Sequence, residues 1–293
     1  MATDLKLRLA SGLTAFLIVL PILTIGSFWW VVGLGAAAAC WGLHEIVSMG
    51  MREQRASAYP LILVLGAGWF SVAAMSTSGG IPGVDEALPG LSDQLVVVAV
   101  ASLVISATYF LVTAKTTDGL ADRWAHFMLG LPYVAVPLGL FPALLQLEGG
   151  RAWLFAPLFA GWCGDIGGYF AGRAFGKRKM IPLISPKKTW AGFFGGVGLA
   201  VVGMLIFKFV FVDPLTDGPS TLTLLDCVVV GVIGDIAGVI GDLVASMIKR
   251  THGVKDSGRF LPGHGGMLDR IDAVLFVVPV VYLWAAVVRP LIG

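Results

Sequence analysis

Between Ser246 and Asp272 the chain reads SMIKRTHGVKDSGRFLPGHGGMLDRID. This stretch holds five basic side chains, two histidines, three aspartates and five glycines. Asp269 and Asp272 stand three apart, so a helix opening there puts both carboxylates on one face. Oxygen ligands of this kind suit Mg²⁺, which takes one or two carboxylates together with substrate phosphates. Lys249, Arg250, Lys255 and Arg270 supply the positive charge that neutralises a polyphosphate. Gly263, Gly265 and Gly266 around His264 allow backbone to come close to a ligand. Acids and bases interleaved with glycines point to metal-assisted phosphoryl or nucleotidyl transfer, a chemistry that runs on positioning and electrostatics.

Two further groups of residues belong with this stretch. Asp235, Gly238, Asp242, Ser246 and Lys249 follow one another in steps of three or four and therefore project from one helical face. Asp235 reads equally well as a hydrogen-bonding seam between helices or as part of a site. Asp242, one turn before Ser246, reads as a site residue. Upstream, Gly164, Gly168, Gly172 and Gly176 recur every four residues, a pattern that lets a second helix backbone approach closely. Asp165 lies beside that stripe. The loop that follows carries Arg173, Lys177, Arg178, Lys179, Lys187 and Lys188. Charge alone there fits anionic lipid headgroups. Ser185-Pro186-Lys187-Lys188-Thr189, however, reads as a stiff turn that delivers paired lysines to a helix start capped by Thr189, a good phosphate site.

The elements that position these groups must lie in lipid. Apolar residues make up 57% of the 293, where soluble domains reach about 45–50% even with glycine included. The mean hydropathy is +0.88. Runs of about twenty apolar residues span a bilayer as helices. Nine are expected, at roughly 9–25, 28–47, 58–75, 92–113, 124–145, 152–172, 189–212, 222–247 and 269–290. With the N-terminus in the cytoplasm, seventeen of the twenty Lys and Arg residues fall on the cytoplasmic side, Arg52 among them. Arg151, Arg289 and Lys208 are the exceptions, and the outer loops carry acids such as Asp85, Glu86, Asp93 and Asp217. The expected fold class is therefore all-α, a polytopic integral membrane protein of about nine spans. Residues 1–150 form plain N-terminal spans, and 151–293 form the catalytic region with two basic cytoplasmic loops.

Other features read as structural. Lys6 and Arg8 precede a run long enough to remain as the first span rather than be removed as a leader. Cys40, Cys163 and Cys227 have neither metal-site nor redox spacing and serve as small apolar fillers. Glu45, beside His44 at the inner end of the second span, reads first as an interfacial residue.

The same segments resemble the phosphatidate cytidylyltransferases, or CDP-diacylglycerol synthases. That family's signature runs Ser-x-apolar-Lys-Arg, then Lys-Asp, then Pro-x-His-Gly-Gly, and ends Asp-Arg-apolar-Asp. Ser246, Lys249, Arg250, Lys255, Asp256, Pro262, His264, Gly265, Gly266, Asp269, Arg270 and Asp272 match it. The likeness extends back through Gly241-Asp242-Leu243, Asp165 to Tyr169, Gly172-Arg173 and Ser185 to Trp190. Ala191 and Ala245 stand where the family often has Glu.

The resemblance implies transfer of a cytidylyl group from CTP to phosphatidate. It implies Mg²⁺ on Asp242 and Asp269 with Asp272 and Asp165 close by, and K⁺ as a second cation. Lys187, Lys188, Lys249, Arg250 and Lys255 would hold the triphosphate and the lipid phosphate, and His264 would bind phosphate or orient a ligand. Asp256 and Arg270 complete the catalytic set; Arg173, Ser185, Ser246, Gly265 and Gly266 complete the substrate contacts. The implied partners are CTP, phosphatidate and the bilayer, with a homodimer as the assembly to test and no nucleic acid. The implied location is the inner (plasma) membrane, with the site facing the cytoplasm. Rival readings are a cytidylyltransferase for another lipid phosphate and a membrane transporter. The second would place its polar residues near the midplane in paired halves, and no internal repeat is seen.

Overall fold

A computed structural model describes residues 2–51, 54–76, 91–215, 221–260 and 265–292. Arg52, Asp85, Glu86, Asp217, Pro262, Gly263 and His264 lie outside the described residues, as do the side chains of Lys6, Arg8 and Asp93. The expected spans fall largely on helix, the last of them, 269–290, interrupted by a turn at 272–273. In order these are α1 (Ala2–Ile25), α2 (Phe28–Gly50), α3 (Arg55–Ala74), α4 (Leu91–Thr113), α5 (Leu120–Ala143) and α6 (Gly150–Phe175). A hairpin of β1 (Lys179–Ile181) and β2 (Ser185–Thr189) leads to α7 (Trp190–Ile206). Then come α8 (Leu224–Thr251), α9 (Leu268–Ile271), α10 (Val274–Leu283) and α11 (Arg289–Ile292). Among the described residues, seven helices are long and apolar enough to cross a bilayer. Of α1, the apolar stretch Ser11–Ile25 is shorter than that. α6 carries Arg151, Asp165 and Arg173 and falls outside the seven. The molecule is thus a multi-pass, all-α protein apart from one short hairpin.

The chain forms two compact units. The first comprises Met1–Ala143 and Asp256–Asp269. Its core is the crossing of α2, α3 and α5, where small residues admit neighbouring chain. A Cβ on Gly35 would lie 2.9 Å from the Leu138 carbonyl, and one on Gly130 would lie 2.6 Å from Ile46 Cγ2. Leu43, Ile46, Ile62, Phe127, Leu131 and Val134 fill the space between. α5 continues through Pro132, Pro137 and Pro142, as lipid-embedded helices tolerate when neighbours satisfy the freed carbonyls. α4 turns Val96, Val97, Val100 and Leu111 outward.

The second unit comprises Leu144–Lys255 and Arg270–Gly293. α6 and α7 meet glycine to glycine: a Cβ on Gly192 would lie 2.8 Å from the Gly168 carbonyl and 3.4 Å from Gly172 Cα. In the stripe of α6, Gly168 and Gly172 therefore face Gly192 of α7, whereas Gly164 faces Asp235 of α8. α8 starts with a capping box in which Thr223 N donates to Asp226 Oδ2 at 2.8 Å and Asp226 N donates to Thr223 Oγ1 at 3.1 Å. Asp226 is buried and also accepts from Trp284 Nε1 at 2.9 Å and Arg289 Nε at 3.2 Å. Farther along α8, Gly234, Gly238 and Gly241 face Val277, Ala273 and the Asp272 carbonyl.

The segment Ser185–Thr189 is a strand rather than the expected turn. Its partner is β1, antiparallel, with Lys179 opposite Thr189 and Ile181 opposite Ser185 and an irregularity between. Proline fixes an extended-compatible φ and pushes the residue before it toward the β region. A two-stranded hairpin is all edge, which is where a strand accepts proline.

Candidate active site

In the second unit, α6, β2, α7 and α8 line an open cavity of ≈ 370 Å³. Asp165, Tyr169 and Arg173 line it from α6, Lys187 and Lys188 from β2, and Asp235 from α8. The lysines reach it because Thr189 ends the strand and begins the helix. Thr189 is extended at the cap position of α7, and its Oγ1 accepts from Gly192 N at 3.1 Å. The cap is buried, so the register of the two lysines is fixed by the core.

Lys188 Nζ lies 2.8 Å from Asp242 Oδ2 and donates to the Val239 carbonyl at 3.2 Å. Ser246 Oγ donates to Asp242 Oδ1 at 3.4 Å. Asp165 sits in the field of both Lys188 and Asp242. One ammonium thus stands among acids from two helices. Asp235 is 4% exposed, and its Oδ2 has no hydrogen-bond partner among the described residues. The carboxylate fits only because Gly164 and Gly196 lack side chains: a Cβ on Gly196 would lie 3.0 Å from both of its oxygens. The expected α8 stripe is split in two. Asp235 and Asp242 turn toward α6 and β2, whereas Gly238 turns toward α10.

The remaining sequence-derived candidates of this unit have simpler surroundings. Arg173 donates to the Tyr169 hydroxyl at 3.0 Å. Ser185 opens β2 and is half-buried. Lys249 and Arg250 form the last turn of α8, where Arg250 Nη1 donates to the Val254 carbonyl at 3.0 Å. Lys255 and Arg270 are exposed. Asp272 Oδ1 accepts from Ala273 N at 2.9 Å, and the Asp272 carbonyl packs on Gly241, one residue from Asp242.

Asp256, Gly265, Gly266 and Asp269 belong to the first unit. Asp256 is exposed. Asp269 Oδ2 accepts from Ser257 N at 2.9 Å, Gly266 N at 2.9 Å and Ser257 Oγ at 3.1 Å. Gly265 has φ +88°, a left-handed conformation that suits glycine, and a Cβ there would lie 2.8 Å from Asp269 Oδ2. Glu45, read from sequence as interfacial, is 2% exposed and accepts from Ser257 Oγ at 2.6 Å, Met267 N at 2.8 Å and Leu268 N at 2.9 Å. The signal that points to it is the cost of a carboxylate in an apolar helix, which demands a partner.

The residues offer a cavity among helices, a lysine pair, and aspartates whose carboxylates are oxygen donors. Such a set has the charge to hold phosphate groups. A family model described as "Cytidylyltransferase family" matches residues 6–288. A phosphatidate cytidylyltransferase of Mycobacterium bovis is 32% identical over 280 residues, covering 93% of this chain and 85% of the relative. One of Bacillus subtilis is 31% identical over 97% of this chain and 98% of its own length. One of Staphylococcus epidermidis is 36% identical over 94% and 96%. The matches run through both units and through every segment that bears a candidate residue, so the chain belongs to the cytidylyltransferase family.

Proposed function

We propose that this chain is a phosphatidate cytidylyltransferase, which converts CTP and phosphatidate to CDP-diacylglycerol and pyrophosphate in phospholipid synthesis. The observation that carries this reading is the match to relatives of that name over nearly the full length of both chains. A phosphate oxygen of the lipid attacks the α-phosphorus of CTP. The bond from that phosphorus to the β-phosphate's bridging oxygen breaks, and pyrophosphate leaves. A phosphate monoester is already ionised at neutral pH, so no side chain is needed as general base.

The protein's task is placement and charge. Lys187, Lys188 and Arg173 hold phosphate oxygens at the cavity, and Lys249, Arg250 and Lys255 add charge at the end of α8. Among the described residues, no three His, Cys, Asp or Glu side chains converge on one point as a metal cage. Mg²⁺ does not require such a cage, since it takes one or two carboxylates and fills its shell from substrate and water. Asp242, partly exposed and bearing only oxygen donors, fits that demand. Asp242 would hold the Mg²⁺, Asp269, Asp272 and Asp165 are the further carboxylates that the family resemblance implies, K⁺ would be a second cation, and the metal would stabilise charge on the phosphates. The same reading places the protein in the inner membrane as about nine spans, N-terminus and active site on the cytoplasmic side, as a homodimer. The segregation of basic residues supports that orientation.

The test is purified protein with labelled CTP and a panel of lipid phosphates, with and without Mg²⁺. Phosphatidate should give labelled CDP-diacylglycerol only with Mg²⁺ present. Asp269→Ala, inserted normally, should lose at least about 10²-fold in rate. Liponucleotide formed only from another lipid phosphate would replace phosphatidate as the substrate, and none from any lipid would end the reading.

A further inference from the structure

We propose that Glu45 is a positioning residue for the reaction: a buried carboxylate of α2 that sets the segment bearing Asp269. This rests on the functional reading above. Glu45 lies in an apolar helix and is 2% exposed. A carboxylate there is retained only where donors repay its lost hydration. Those donors all come from one stretch more than two hundred residues away: Ser257 Oγ, Met267 N and Leu268 N. Two glycines make the approach possible. A Cβ on Gly258 would lie 2.5 Å from Glu45 Oε1, and one on Gly266 would lie 2.6 Å from each Glu45 oxygen. Trp41, one turn before Glu45, adds an edge-to-face contact with Phe260 at 4.8 Å.

Ser257 carries the effect onward. Its hydroxyl lies 2.6 Å from Glu45 and 3.1 Å from Asp269, and its backbone N–H donates to Asp269 at 2.9 Å. Glu45 and Asp269 therefore share Ser257, whose hydroxyl lies within reach of both carboxylates. Moving Glu45 shifts Ser257, and with it the donors that orient the Asp269 carboxylate. Glutamine is not a neutral replacement. It keeps one acceptor oxygen but turns an NH₂ toward backbone N–H groups that need an acceptor.

The experiment compares wild type, Glu45→Gln and Ser257→Ala as full-length protein in detergent. It reads kinetics with CTP and phosphatidate, and amide hydrogen exchange. Glu45→Gln should lower kcat on the order of 10²-fold while KM for CTP changes less than about threefold, the signature of lost transition-state placement. Exchange at 256–269 should rise about tenfold or more, with the rest of the chain unchanged. Ser257→Ala, which keeps the two backbone contacts to Glu45, should fall between Glu45→Gln and wild type in both readouts. Wild-type kcat in Glu45→Gln would overturn the proposal, as would exchange rising evenly across the helices instead of at 256–269. If wild type itself makes no product, the functional reading fails separately, and the exchange arm alone decides whether Glu45 sets this segment.

Discussion

Lys188 brings its ammonium to 2.8 Å from Asp242 while lining the cavity with Lys187. The two side chains of that ion pair are 22% and 38% exposed, so solvent screens it and its worth to folding is at most about 1 kcal/mol. Under the proposed function its worth to phosphate binding is larger, because the same ammonium would then take a substrate oxygen as its partner. Lys188→Met should leave the thermal midpoint in detergent nearly unchanged and lower kcat/KM on the order of 10²-fold. A parallel fall in stability would mean that the pair is structural. Residue type and spacing single out both Lys188 and Asp242, and the fold pairs them. They do not single out Glu45, because what marks it as more than interfacial is a set of backbone donors brought to it by tertiary folding. Asp235 stayed ambiguous in sequence, since a helical step of seven from Asp242 does not say which neighbour provides room. The answer lies in Gly164 and Gly196, on two other helices.

At the scale of elements, the glycine repeat of α6 announced a close crossing but not its partner. The partner is α7, whose own glycines at 192, 195 and 196 complete the interface. A Cβ on Gly167 would collide with the Gly195 carbonyl and lie 2.7 Å from Leu199 Cβ, whereas one on Gly198 would meet nothing within 4 Å. Gly167→Ala should therefore lower stability by about 1–3 kcal/mol, while Gly198→Ala should leave it unchanged or raise it. Thermal unfolding of both variants in detergent distinguishes a helix contact from a merely flexible sequence. Helices were readable because twenty apolar residues in lipid have few alternatives. The hairpin was not, because five residues rich in Pro and Lys carry no alternation, and only pairing with Lys179–Ile181 makes them a strand.

Over the whole molecule, the basic residues predict a topology that can be read directly. A single cysteine placed at Arg178, in a background without Cys40, Cys163 and Cys227, should react with an impermeant maleimide in inverted membrane vesicles and not in intact spheroplasts. The reverse pattern would reject the cytoplasmic placement of the site. What no linear reading shows is that the first compact unit borrows residues 256–269 from late in the chain. That loan has a cost in time. Glu45 is synthesised 212 residues before Ser257, an interval of roughly 10–40 s at ordinary elongation rates. Throughout it, the carboxylate exists without the donors that will surround it, while α6, α7 and α8 are being made. The N-terminal helices are thus the first to leave the ribosome and among the last to be finished, and a nascent chain stalled before residue 257 exposes that unfinished state to the machinery that inspects membrane proteins.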